Sequence, residues 1–296
     1  MQRKLKFALF GNEFQAGKSA SVRKVLDTLD ALEAEVLMEK VFHEFLLQTG
    51  SVTDEHHGKL TVFEGNGFEA DFAVSVGGDG TFLKTACRVG TKGIPIVGVN
   101  IGRLGFLADV RDSEIETAFQ ALCTGNYRLE EHSVIQLSNV RNDGELSPYA
   151  LNDIAVLKRD DASMITIHAY VDGAPLVTYR ADGLVVSTPT GSTAYNLSNG
   201  GPIMLSQSDV LCLTPVAPHS LNIRPIVVPD SCVIDLEVES RSHNILVAID
   251  GRSATFEEGT QIRICKAGHK VKIVKRESEN FFSTLREKMM WGKDVR

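Results

Sequence analysis

The chain has 296 residues, of which 43% are apolar and 23% are charged, and this composition excludes a disordered or collagen-like protein. Its formal net charge of -7 gives no general basic surface for nucleic acid or for an anionic membrane. The five cysteines include no Cys-x-x-Cys pair, which argues against a disulfide framework and a zinc site. Since no apolar run has the length of a membrane span and the N-terminus does not resemble a signal peptide, we expect a cytoplasmic protein.

In the first part of the chain, short apolar runs alternate with helical periodicity, which predicts strand–helix units up to about residue 128. The segments KFALF (6–10), DFAVSV (71–76) and IPIVGV (94–99) have the pattern of buried strands. Ser113 and Glu116 have the spacing of a capping box for a helix that ends near Gly125. We therefore predict an α/β nucleotide-binding domain over residues 1–128.

From about residue 129 the hydrophobic period changes to two, which is typical of strands. The dipeptides Asp172-Gly173 and Asp250-Gly251 each lie between alternating runs and predict hairpin turns. The second part of the chain is therefore predicted to be a β-rich domain.

Three glycine-rich segments are similar to known phosphate-binding motifs. GNEFQAGKS (11–19) has five residues between its glycines where a P-loop has four, and GNGFEA (65–70) precedes a strand where a dinucleotide fingerprint requires a helix. We interpret the second segment as a hairpin turn. GVNIGRLG (98–105) is interpreted as a loop at the carboxyl end of a strand, where ligands of open α/β sheets bind.

The strongest signal is GGDGT, between a predicted buried strand and a predicted helix. Its phosphate-loop residues are Gly77, Gly78, Gly80 and Thr81. Glycines let a ligand approach the backbone, and the helix start favours a phosphate. A carboxylate in such a turn repels phosphate, so Asp79 is interpreted as a general base or a magnesium partner, with a simple helix N-cap as the alternative.

Several motifs follow GGDGT in the order found in one enzyme family. They are FLKTACR (82–88), GVNIGRLGFL (98–107), LNDIAV (151–156), ADGLVVSTPTGSTAYNLSNGGPI (181–203) and TPVAPHSL (214–221). With them the chain resembles the NAD kinases of bacterial type. The resemblance implies transfer of the γ-phosphoryl group of ATP to the 2′-hydroxyl of the adenosine ribose of NAD, which gives NADP. It also implies Mg²⁺ as cofactor, brought with ATP to the region of Asp79 without a protein-built metal site, and a homodimer or homotetramer.

The same resemblance implies a fold and a set of site residues. The fold is an α/β domain, a β-sandwich-like domain over residues 129–276, and a C-terminal tail over 277–296 that returns to the first domain. Asp79 matches the catalytic aspartate and Gly80 its phosphate-contacting neighbour, while Lys84 matches a basic position. The other implied NAD contacts are Asn152, Asp153, Arg180, Asp182, Thr193, Ala194, Tyr195, Asn196, Leu197, Ser198, Ala217 and Arg252.

Simpler interpretations of some of these residues stay open. Asn152 and Asp153 could form a polar turn, and Tyr195 could be a packed aromatic side chain. Two other functions also stay open: a lipid kinase that shares GGDGT, and a non-catalytic NAD(P)-binding regulator. The absence of an amphipathic segment for membrane docking argues against the first, and Asp79 argues against the second.

Overall fold

The computed structural model describes residues 3–11, 19–52, 60–102, 105–138, 147–159, 163–277 and 280–292. The P-loop-like segment lies largely outside these residues. The chain folds as two compact units, one formed by residues 1–131 and 271–296 and the other by residues 132–270. The sequence placed the corresponding boundaries at residues 128 and 276. Among the described helices, none has the length and hydropathy needed to cross a membrane.

The elements are numbered here in chain order. The strands are β1 (Lys6–Gly11), β2 (Glu35–Glu39), β3 (Leu60–Phe63), β4 (Phe72–Gly77), β5 (Ile96–Asn100), β6 (Val110–Arg111), β7 (Arg128–Leu137), β8 (Tyr149–Ala150), β9 (Asp153–Lys158), β10 (Ile165–Val171), β11 (Ala174–Ala181), β12 (Gly183–Ser187), β13 (Val210–Val216), β14 (Ile226–Pro229), β15 (Ile234–Glu239), β16 (Asn244–Ile249), β17 (Arg252–Glu257) and β18 (Ile262–Lys275). The α-helices are α1 (Ser19–Ala31), α2 (Lys40–Gln48), α3 (Asp79–Val89), α4 (Ile115–Thr124), α5 (Tyr195–Ser198) and α6 (Phe281–Met289).

The first unit is built on a parallel sheet with the strand order β5-β4-β1-β2-β3. Its central strands are apolar and buried on both faces, as expected where helices cover a parallel sheet. Helix α1 packs its apolar side, including Val25 and Leu29, into the same core. The sheet edge at the carboxyl ends of β4 and β5 therefore carries the two glycine-rich segments GGDGT and GVNIGRLG.

Two local predictions for this unit are wrong. GNGFEA forms a turn but not a hairpin, because β3 pairs in parallel with β2 at the sheet edge and β4 lies on the far side of β1. The capping box before α4 uses Glu114, whose Oε2 accepts the backbone N–H of Arg111 at 3.0 Å, because a 3-10 turn over Asp112–Glu114 precedes the helix. The helix does end at Gly125, which has φ of +75°.

The second unit is a β-sandwich. One antiparallel sheet has the order β14-β13-β12-β9-β16-β17, and the other contains β11-β10-β15-β18. Buried side chains from both sheets, such as Val156 and Leu184 from the first and Ile167 and Leu236 from the second, form one apolar core. Both predicted hairpin turns are confirmed, with Asp172 and Asp250 at positive φ. The predicted fold class, an α/β unit followed by a β-sandwich-like unit, is confirmed.

Candidate active site

The turn between β4 and α3 leaves its backbone accessible. A Cβ on Gly78 or Gly80 would meet open space, so a ligand can approach the main chain at both positions. Gly77 is required for a different reason, since its Cβ would lie 2.3 Å from Thr81 Oγ1. Gly78 is the N-cap of α3 and supplies no side-chain cap. The start of α3 therefore offers the backbone N–H groups and the partial positive charge that bind phosphate.

Asp79 is the first residue of α3, and its carboxylate faces the loop that follows β5. Oδ1 accepts the N–H groups of Leu107 at 3.0 Å and Ala108 at 3.1 Å, and Oδ2 accepts that of Phe106 at 2.9 Å. The Nζ atom of Lys288, on α6, lies 3.2 Å from Oδ2. The alternative that Asp79 only caps its own helix is therefore wrong, because its bonds go to another loop and Gly78 is the N-cap.

The surroundings of Asp79 keep it ionised. Burial alone would raise the pKa of this carboxyl, but the charge of Lys288 and the three backbone N–H donors together outweigh burial and lower its pKa. Asp79 is therefore an oriented carboxylate with its negative charge already compensated. This compensation explains how an acidic side chain is tolerated in a turn suited to phosphate.

Two glycines bring the 105–108 loop close to Asp79. A Cβ on Gly105 would lie 2.0 Å from Asp79 Oδ1, and one on Gly98 would lie 2.6 Å from the Cα of Ala108. Asn100 also holds the loop, since its Nδ2 donates to the Ala108 carbonyl at 3.0 Å. GVNIGRLG thus positions the donors that orient Asp79, and only its residues 103–104 lie outside the described residues.

We predict that Gly105→Ala lowers the free energy of unfolding by about 1–3 kcal/mol, because the added methyl forces the carboxylate or the loop to move. Chemical denaturation measures the change. Gly67→Ala is the matched control, since a Cβ there meets open space. Equal stability of the two variants would contradict the close packing of this loop on Asp79.

Asp79 does not fit a magnesium ligand in this arrangement. Magnesium binds through free carboxylate oxygens, whereas both Asp79 oxygens accept N–H donors and a cationic ammonium group is adjacent to one of them. The described parts of the chain also contain no group of three or more His, Cys, Asp or Glu side chains arranged to hold a metal ion. Magnesium therefore stays a prediction, with the phosphates of ATP as its expected ligands.

In the second unit, the carboxylate of Asp250 holds the turn that carries Asn152 and Asp153. The Asp250 carboxylate accepts the N–H groups of Leu151 at 2.8 Å, Asn152 at 2.8 Å and Asp153 at 3.2 Å. Asp250 occupies the β16–β17 hairpin turn, so this turn fixes residues about a hundred positions earlier. Burial first, and then the charge of Asp250, raise the pKa of Asp153 to about 7.

Asn152 has the strongest structural indication of a ligand contact among the predicted dinucleotide residues. Its side-chain Oδ1 is buried and has no hydrogen-bond partner within the described residues. A buried amide oxygen without a partner is costly, so a donor supplied by a ligand would stabilise it. The interpretation of this segment as an ordinary polar turn does not account for that oxygen.

The loop after β12 packs directly on this turn. Thr188 N donates to the Asn152 carbonyl at 2.9 Å, and a Cβ on Gly191 would lie 2.2 Å from the same oxygen. Asn196 is fully buried and bonded within the protein, donating to the Ser192 carbonyl and accepting the Thr214 hydroxyl at 2.6 Å. Tyr195 is 38% exposed, so its ring is available to a ligand. The structure thus brings the LNDIAV and TPTGSTAY motifs together, with Asn196 shaping the loop from inside.

The other residues predicted to bind NAD lie on several elements and differ in exposure and in partners. Lys84 is exposed on α3, one turn after Gly80, and Arg180 is exposed on β11. Asp182 forms an ion pair with Lys158 at 3.0 Å, and Arg252 donates to the Tyr149 carbonyl at 3.0 Å. Thr193 and Ala194 precede α5, Leu197 and Ser198 belong to it, and Ala217 follows β13 at φ of +44°. Their roles in binding NAD stay predictions.

Sequence reasoning missed Lys288, the backbone donors of residues 106–108 and the Asp250 carboxylate. Lys288 is 209 positions from Asp79, and nothing in the local pattern of α6 indicates that contact. For Asp250, the dipeptide Asp250-Gly251 predicted a hairpin turn but not the hydrogen bonds of its carboxylate.

Comparisons of the chain with known proteins all point to one family. Residues 7–127 match the model of the ATP-NAD kinase N-terminal domain, and residues 151–276 match that of the ATP-NAD kinase C-terminal domain. The NAD kinase of Bacteroides fragilis is 52% identical over 295 residues, which cover 99% of this chain and 100% of that protein. The NAD kinase of Cytophaga hutchinsonii is 40% identical, over 98% of this chain and 99% of that protein.

Two solved structures share the fold. The crystal structure of yeast NADH kinase complexed with NADH has a TM-score of 0.87 at 23% identity and covers 100% of this chain and 90% of that one. That of an NAD kinase from Archaeoglobus fulgidus in complex with ATP has a TM-score of 0.75 at 27% identity and covers 97% and 99%. Since both halves match and relatives align from end to end, the chain belongs to the NAD kinase family.

Proposed function

We propose that this NAD kinase transfers the γ-phosphoryl group of ATP to the 2′-hydroxyl of the adenosine ribose of NAD, with Asp79 as the general base. The observation that supports this assignment most is the orientation of the Asp79 carboxylate beside an accessible glycine turn at the start of α3. Membership of the family supports the substrates.

The reaction requires little covalent chemistry from the protein. The 2′-oxygen attacks the γ-phosphorus, the bond from that phosphorus to the bridging oxygen of ADP breaks, and the hydroxyl proton passes to Asp79. Because phosphoryl transfer has a loose transition state, bond formation to the nucleophile is limited and a weak base suffices. The lowered pKa of Asp79 is compatible with this role, since the carboxylate must be ionised when the hydroxyl arrives.

Binding of the phosphates is assigned to the turn at residues 77–81, where open backbone and the helix start favour anions. Binding of the dinucleotide is assigned to Asn152, Asp153 and the loop that carries Tyr195. Asn152 offers a buried acceptor oxygen and Tyr195 an exposed ring. The Asp153 carboxylate can accept hydrogen bonds from a ribose diol.

The expected selectivity tests this proposal. NAD should be phosphorylated, whereas free adenosine should react with a kcat/KM at least about 10³-fold lower, because binding energy from the rest of the dinucleotide positions the hydroxyl. Diacylglycerol in vesicles should not react. Radiolabelled ATP measures all three reactions on one scale. Comparable turnover of the lipid would favour the lipid kinase alternative, and NAD binding without turnover would favour the regulator.

Homo-oligomerisation, supported by the resemblance alone, and a cytoplasmic location, expected from the sequence pattern, are further parts of this proposal. Light scattering at the assay concentration measures the first. A fully active monomer would contradict it.

A further inference from the structure

The Asp79 carboxylate has no acceptor position left for a substrate hydroxyl. A carboxylate has about four lone-pair sites, and four donors occupy them: the N–H groups of Phe106, Leu107 and Ala108, and the ammonium of Lys288. A general base must accept a hydrogen bond from the hydroxyl that it deprotonates. One of the four donors therefore has to leave before the reaction begins.

The three backbone donors are fixed. Their loop packs against Gly98, and its own Gly105 packs against Asp79, at distances that exclude a Cβ. Asn100 also holds the loop, since it donates to the Ala108 carbonyl and accepts the N–H of Gly102 at 2.7 Å. Moving one of these amides requires moving the loop.

Lys288 is held differently. Its ammonium lies at the end of a flexible four-carbon side chain, with 30% of the side chain exposed, and 4.4 Å from the centre of the Phe106 ring. It is therefore the donor that can leave Oδ2 without a change in the main chain. The π face of Phe106 can keep the cation close to the site after it leaves.

The fold places Lys288 in this position through several independent contacts of α6. Leu285 is buried, and Glu287 forms an ion pair with Arg111. Phe281 packs near Phe106, with ring centres 6.3 Å apart. The helix begins with a cap in which Asn280 Oδ1 accepts the Ser283 N–H at 3.0 Å. The contacts of Phe281 and Glu287 attach α6 to the elements around Asp79 without the help of Lys288.

We propose that Lys288 is a second catalytic residue, which pairs with Asp79 in the free enzyme and moves onto the transferring phosphoryl group when the acceptor hydroxyl takes its place at Oδ2. This inference rests on the proposed function. Lys288 takes no part in the proton transfer. The hydroxyl proton goes to Asp79, the new bond joins the ribose oxygen to the γ-phosphorus, and the electron pair of the broken bond leaves with ADP. Lys288 balances the charge of the carboxylate before the step and that of the phosphoryl oxygens during it.

Two variants of Lys288 test this proposal. Lys288→Met removes the ammonium but keeps an apolar side chain against Phe106, and Lys288→Arg keeps the charge. In the methionine variant we expect kcat to fall about 100-fold, as for loss of one transition-state donor. The dissociation constant of NAD, measured without ATP, should stay unchanged or fall, because the Oδ2 position is then free. Arginine should restore kcat to within about tenfold of the wild type.

Arg286→Met, on an exposed position of the same helix, is the matched control and should keep wild-type kcat. Melting temperatures and far-ultraviolet circular dichroism give the folded fraction of each variant. If Lys288→Met does not fold, Lys288→Gln serves as a second neutral variant. A neutral variant with kcat within threefold of the wild type per folded enzyme would overturn the role of Lys288. A parallel loss of kcat and NAD affinity would overturn it as well. A wild type that makes no NADP would instead overturn the proposed function, so the two failures are distinguishable.

Discussion

Asp79→Asn should lower kcat by about 10²–10⁴-fold, which is the contribution typical of general base catalysis. The variant keeps the size of the side chain but cannot take the hydroxyl proton. We expect NAD affinity to change little, because all the dinucleotide contacts except that of the reacting hydroxyl are assigned to other residues. Initial rates of NADP formation and a binding titration with NAD measure the two quantities on the same preparation.

Some loss of stability should accompany that change. The NH₂ group of asparagine replaces one of the two acceptor oxygens, so at least one N–H group of residues 106–108 loses its acceptor, and the ion pair with Lys288 is lost. We expect these changes to cost about 1–3 kcal/mol in the free energy of unfolding. Asp112→Asn, at an exposed position before α4, is the control and should change neither rate nor stability. A kcat of the Asp79 variant close to the wild type would remove Asp79 from the mechanism. Recovery of activity at high magnesium would reassign it as a metal partner.

Asp153→Asn should make the enzyme more stable at pH 8.5, and the gain in stability should be clearly smaller at pH 5. Burial and the neighbouring Asp250 carboxylate raise the pKa of Asp153 to about 7, so the folded state binds a proton that the unfolded state has already released. The stabilisation from that proton is fully present below the unfolded pKa of about 4 and is lost as the pH rises through about 7. The asparagine side chain does not titrate, so the stability of the variant does not fall with pH for this reason.

The difference in free energy of unfolding between variant and wild type should therefore grow with pH, to between about 1 and 4 kcal/mol at pH 8.5, since one pKa unit corresponds to about 1.4 kcal/mol. Urea denaturation at four pH values measures it, and subtraction removes the contribution of the histidines. Asp209→Asn is the control, because the Asp209 side chain is 77% exposed. Parallel pH curves for the wild type and Asp153→Asn would show that Asp153 has an ordinary pKa.

The local pattern of the sequence predicted the elements that carry the site. Buried strands at residues 71–76 and 94–99, each followed by a glycine-rich segment, were sufficient to place GGDGT and GVNIGRLG at the carboxyl ends of β4 and β5. The hairpins at Asp172 and Asp250 followed from their dipeptides. These features depend on neighbouring residues, so a single sequence contains them.

The contacts that determine the chemistry depend on residues distant in sequence. The partners of Asp79 come from residues 106–108 and from Lys288, and those of the 151–153 turn come from Asp250. Periodicity and turn propensity contain no information on such pairs. The wrong hairpin at residues 65–70 has the same cause, because only the pairing of β3 with β2 distinguishes a hairpin from a connection between parallel strands.

The most direct test identifies the product that the purified 296-residue chain forms from ATP, Mg²⁺ and NAD. Phosphorus and proton magnetic resonance of the isolated product distinguish a phosphate on the 2′-hydroxyl of the adenosine ribose from one on any other hydroxyl. We expect a single product, NADP with a 2′-phosphate, which the wild type forms and which Asp79→Asn forms at least about 10²-fold more slowly. No phosphorylated dinucleotide, or a phosphate at another hydroxyl, would contradict this expectation.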